Sequence, residues 1–191
     1  KTKIFDIRVL LQLFKRLSLA LSSAYITKGQ FRPSFKNIKI DEIRVLDERY
    51  DEFWKKTSQK YDVAIERSRQ YLNWRYFNNP DANYKVYLAE KENKVLGYIV
   101  TKCTTIGLDM GPLKVTNLKM GHIVDLLGEE MILTRLVAVA EEHFKEKEID
   151  LIHCWTIKDH FHYELFRKLG FFSLPKSISD FALISRIYLP Y

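Results

Sequence analysis

Residues 149–157 form an apolar run that leads directly into DHFHYELFRKLGFF, residues 159–172. The run reads as a strand, and the apolar residues after it recur at helical spacing until Lys168, Leu169, Gly170 and Phe171. Glycine favours the backbone just past a helix end, so the helix is short and a further strand starts at Phe171. A strand, a two-turn helix and a returning strand must be covered on the sheet faces, which points to a layered α/β (α+β) domain.

The rest of the chain agrees with one such domain. With 191 residues, 47% hydrophobic and 14% aromatic, the chain can bury one ordinary core. The net charge of +7 suggests a nucleic-acid partner only if it is spread over the domain. It is not spread: residues 1–36 hold eight Lys or Arg against Asp6, which accounts for the whole excess and leaves 23 basic and 23 acidic residues elsewhere. A basic face across the whole domain is thereby disfavoured. Cys103 and Cys154 lie in strand-like runs without the spacing of a disulfide framework or zinc site, so a reducing, cytoplasmic setting is expected. No apolar run is long enough for a transmembrane helix. The chain begins with Lys and shows no signal-peptide cleavage pattern, as expected of a fragment or trimmed chain rather than a secreted precursor.

Ile4, Ile7, Leu11 and Phe14 share one helical stripe, so residues 1–29 read as a basic amphipathic helix and residues 30–36 as a linker. Packing on this or an upstream domain, lying on a membrane surface, and binding RNA are the three uses such a helix can have. From residue 37 the expected order is a strand over 38–45, a helix capped by Asp47, a second helix opened by Ser68 and ended by Asn78, Asn79 and Pro80, and a hairpin of 84–89 and 95–102. A turn at 107–112, a strand over 115–127, a helix over 129–147, the strand 151–157, the helix from Asp159, and strands over 171–174 and 181–188 complete it. No internal repeat is present.

This order, with VLGYIV at 95–100 and LFRKLGFF at 165–172, resembles the GNAT acyltransferases. YLNWRYFNNP at 71–80, followed by a strand and VLGYIV, is also similar to the C-terminal domain of prokaryotic proteins with two such domains in tandem. The resemblance implies a mixed, mostly antiparallel twisted sheet flanked by helices, with acetyl-CoA or another acyl-CoA as co-substrate, no metal, and a small-molecule or peptide amine as acceptor. It further implies that the co-substrate enters where the fourth and fifth strands splay, at Leu126, Leu127 and Gly128. There the family's Arg/Gln-x-x-Gly-x-Gly/Ala pattern is replaced by Gly128, Glu129, Glu130 and Met131, two carboxylates at a helix start that oppose a pyrophosphate. Arg135, one turn on, is placed to compensate.

In the terminal helix, counting back from Gly170 puts Phe166 where the family has its proton-donating Tyr, and Phe donates no proton. Tyr163, one turn earlier, is the expected replacement, against the alternative of an aromatic packing role. Asp125, the lone acid in HIVDLL, is the expected proton acceptor, although alternation leaves open whether it faces the interior or solvent. His160 and His162, two apart on a helix, are expected to diverge, which argues against a metal site there. Trp74 and Arg75 are substrate-contact candidates, with a buried Trp and a surface ion pair as the plain alternative. Two functions follow from the resemblance: an acyl-CoA-dependent N-acyltransferase, or a GNAT-fold module without CoA chemistry that serves acceptor binding, dimer contacts or packing against an upstream domain.

Overall fold

The computed structural model describes residues 37–62, 64–79, 83–110, 113–157, 160–173 and 182–187. The amphipathic segment of residues 1–29 and its linker lie outside the described residues. Among the described residues seven strands, β1 (Lys39–Ile43), β2 (Tyr84–Lys91), β3 (Lys94–Met110), β4 (Leu113–Gly128), β5 (Leu151–Thr156), β6 (Phe172–Ser173) and β7 (Ala182–Ile187), form one sheet in the order β1-β2-β3-β4-β5-β7-β6. Every neighbouring pair is antiparallel except β4 and β5.

Period-two alternation sends side chains to two helical layers. Tyr87, Ala89 and Ile99 face α3 (Glu130–Glu146), where Leu133, Leu136, Val137, Ala140 and Phe144 are fully buried with Phe166 and Leu165 of α4 (Phe161–Lys168). Val86, Leu88, Tyr98 and Val100 face the other way, against Tyr50 of α1 (Arg49–Ser58) and Leu72 of α2 (Arg69–Leu72). Gly121 lets the α3 layer approach β4: a Cβ there would meet the Phe144 ring at 2.8 Å.

Local chemistry explains most boundaries. Ser68 caps α2 by accepting the Tyr71 N–H at 3.3 Å. The helix then widens into a π-helical turn over Asn73–Phe77, pinned because the Asn73 amide both accepts from Leu46 N at 2.8 Å and donates to Leu46 O at 3.0 Å. Glu92 and Asn93 both have positive φ (50° and 63°), the backbone of a two-residue hairpin turn. The cap of α1 falls one residue later than expected, at Glu48, while the Asp47 carboxylate accepts the Arg49 N–H at 3.0 Å.

Residues 107–110 belong to β3 and not to a turn: Gly107 is absorbed at a register irregularity between Ile106 and Leu108, and pairing with β4 resumes at Leu108↔Val115. His160 and His162 do not diverge. His160 is the cap of α4 rather than one of its interior residues, so its Nδ1 accepts the His162 N–H at 3.3 Å and the two rings lie 4.4 Å apart.

Candidate active site

The parallel pairing of β4 with β5 covers Met120↔Leu151, Gly121↔Ile152, His122↔His153 and Ile123↔Cys154. Beyond Ile123, β4 runs on to Gly128 without a β5 partner among the described residues, so a wedge opens between them. A bulge marks the same point: Thr101 pairs with Ile123 and Val100 with Asp125, which leaves Val124 extra. The bulge reverses the alternation, so Ile123 faces the α3 layer while Asp125 stands on the opposite face with Tyr98 and Val100.

Asp125 is the most heavily bonded side chain of the site. Its Oδ2 accepts from the hydroxyls of Tyr98 at 2.8 Å and Tyr76 at 3.3 Å. Its Oδ1 accepts from Arg67 Nε at 3.1 Å and from the Leu126 N–H at 3.0 Å, and Arg67 Nη2 lies 3.1 Å away. Burial, then the Asp125 charge, pushes the Tyr98 and Tyr76 hydroxyls above the usual phenol range. Together these donors occupy about all the lone-pair directions a carboxylate has. The arrangement is an anchor that joins the loop before α2, the π-helical turn, β3 and β4.

On the same face, one rung before pairing ends, His122 Nδ1 and His153 Nε2 lie 2.9 Å apart, and His122 Nε2 lies 2.6 Å from Thr104 Oγ1. Burial, then His122, lowers the His153 pKa to about 4; burial, then Lys102, lowers that of His122. Both rings are therefore neutral at pH 7. The sequence offers no means of pairing these histidines, because the β4–β5 register decides which residues meet. Among the described residues no group of three or more metal-ligating side chains assembles.

At the start of α3, Gly128 has φ 155° and sits opposite Gly97, where an added Cβ would meet Leu127 O at 2.6 Å. The two glycines let β4 and β3 come together as the chain turns into the helix. Each expected carboxylate here is paired with a lysine, Glu129 with Lys60 at 3.6 Å and Glu130 with Lys168 at 2.7 Å. Arg135 lies further along, its Nη2 directed at Ile38 O at 3.4 Å. Leu126 and Leu127 are buried on opposite faces of β4.

Phe166 is fully buried against Phe171, with ring centroids 4.8 Å apart, and Tyr163 is half-buried at the edge of the same cluster. Trp74 is 64% exposed and lines a cleft of about 390 Å³ with Arg75, Asn78, Asn79 and Tyr84. Arg75 reaches the Tyr71 hydroxyl at 3.1 Å and lies 5.5 Å from the Tyr76 ring centre, so a single tyrosine separates this cleft from Asp125. Burial, then Asp125, pushes the Cys154 thiol up to about 12, and burial raises Cys103, which leaves neither as a thiolate nucleophile.

Solved structures share this architecture. The NatC complex bound to Gag peptide and CoA matches with a TM-score of 0.53 and 19% identity over 81% of this chain and 99% of its own. PaiA N-acetyltransferase from Thermoplasma acidophilum, in complex with coenzyme A, matches with 0.53 and 16% over 80% and 99%. An acetyltransferase of the GNAT family from Staphylococcus aureus matches with 0.51 and 18% over 78% and 98%. The chain has the GNAT acetyltransferase fold. No protein-family model and no curated protein sequence matches it.

Proposed function

We propose that the protein is an acyl-CoA-dependent N-acyltransferase that binds its thioester in the β4–β5 wedge. The observation that carries this reading is the end of pairing at Ile123↔Cys154 while β4 continues to Gly128. Backbone groups of residues 124–127 then serve the pantetheine arm and polarise the thioester carbonyl. The amine attacks directly, in keeping with two cysteines that are both held as thiols. Tyr163 gives its proton to the departing thiolate, and Asp125 fixes Arg67, Tyr76 and Tyr98 around the slot. Trp74 and Arg75 hold the far end of the acceptor, a small molecule or peptide carrying a primary amine.

Calorimetric titration with acetyl-CoA tests the reading. Saturable micromolar binding supports it; no heat at millimolar ligand leaves the alternative of a GNAT-fold scaffold that works through packing or acceptor binding. With binding in hand, Tyr163→Phe is expected to lower turnover roughly ten- to a hundredfold while leaving CoA affinity unchanged.

A further inference from the structure

Direct aminolysis requires that the acceptor nitrogen lose a proton, and the Asp125 carboxylate already accepts from Arg67, Tyr76, Tyr98 and the Leu126 N–H. We infer that His153 is the proton acceptor and that His122 and Thr104 carry the proton away, a role that rests on the transferase reading above. His153 is 8% exposed, stands on the next-to-last rung of the β4–β5 ladder, and shares the sheet face of Asp125. Its Nε2 is bonded to His122, whereas its Nδ1 is buried and has no partner among the described residues.

The two possible proton arrangements of the chain are not equivalent. If Thr104 donated to His122 Nε2, His122 Nδ1–H would donate to His153 Nε2, and the remaining His153 proton would be a buried N–H with nothing to bond. In the reverse order His153 Nε2–H donates to His122 Nδ1, His122 Nε2–H donates to Thr104 Oγ1, and what remains at His153 Nδ1 is a bare lone pair. Buried polar groups without a partner are tolerated more readily as acceptors than as donors, so the second arrangement holds. It presents a base.

The step balances as follows. The acceptor nitrogen bonds to the thioester carbonyl carbon, the carbon–sulfur bond breaks with its electron pair on sulfur, and the nitrogen's proton passes to His153 Nδ1 directly or through one water. His153 then releases its Nε2 proton to His122 Nδ1, and His122 releases its Nε2 proton toward Thr104 and solvent. Lys102, the β3 residue paired with His122, is the charged group facing this end, and its repulsion keeps the charge from resting on His122.

Nitrogen-15 NMR of histidine-labelled protein at pH 7, with calorimetry and a turnover assay on the same samples, tests the relay. The assay uses acetyl-CoA with spermidine, tyramine and a short peptide bearing a free α-amine. The expected results are an unprotonated Nδ1 on His153, acetyl-CoA binding by His153→Gln equal to that of the unaltered protein, and turnover lowered roughly a hundred- to a thousandfold. The acid limb of kcat/KM is expected to disappear in that variant, which a packing defect would not cause. A protonated Nδ1, or His153→Gln turnover within twofold of the original, overturns the relay and leaves the transferase reading standing. Absence of acetyl-CoA binding by the unaltered protein overturns both.

Discussion

At the residue scale, Asp125 makes the strongest demand on the rest of the molecule. Replacing it with Asn leaves the half-buried Arg67 without its counter-charge, and losses from breaking such a pair run to about 3–5 kcal/mol. Urea unfolding is expected to show a loss of that order for Asp125→Asn and only about 1–2 kcal/mol for Tyr98→Phe, which removes a single buried hydroxyl. His153 adds a pH dependence of definite sign. Its pKa is about 4 when folded, against 6.5 for the free side chain, so the unfolded chain binds more protons between those values. Stability is therefore constant above pH 6.5 and falls as the pH drops toward 4, by about 3 kcal/mol from this group. Unfolding at pH 7, 5.5 and 4 checks the slope, which His153→Gln is expected to reduce, with the remainder left by His162, whose pKa burial lowers to about 3. Asp125 stands out in the sequence as the lone acid of HIVDLL, but its bonding does not. Arg67, Tyr76 and Tyr98 come from three separate segments that no local pattern connects.

At the scale of elements, α3 and the β2–β3 hairpin were readable because their apolar periods of 3.6 and 2 run for many residues without competition. The bulge at Val124 was not, because one extra residue changes no composition and yet moves Asp125 to the other face of the sheet. The same limit hid the His122–His153 pair, since a parallel register between strands about thirty residues apart is fixed by the helix that joins them and not by either strand. The glycines give this scale its own test. Gly121→Ala drives a methyl into Phe144 and is expected to cost about 1–3 kcal/mol in thermal or urea unfolding. At the start of α3, replacing Glu129 and Glu130 with Gln removes two charges that oppose an anion. At about a kcal/mol or less for each exposed charge, acetyl-CoA affinity is expected to rise roughly tenfold by calorimetry.

At the scale of the whole molecule, two helical layers clamp a sheet whose middle strands part company, and every chemical proposal depends on that parting. The fold is shared with solved structures at 16–19% identity, so the likeness fixes architecture and leaves chemistry to this chain's own residues. Those residues differ from the resemblance at two places, Phe166 at the acid position and the paired carboxylates at the α3 start, and both differences were legible because they lie within short motifs. Amide NMR of the whole chain during acetyl-CoA titration reads the wedge most directly. Saturable shifts centred on the amides of residues 124–131 and 154–157 are the expected result. Amides there that stay unmoved at millimolar acetyl-CoA would contradict a wedge open to the thioester.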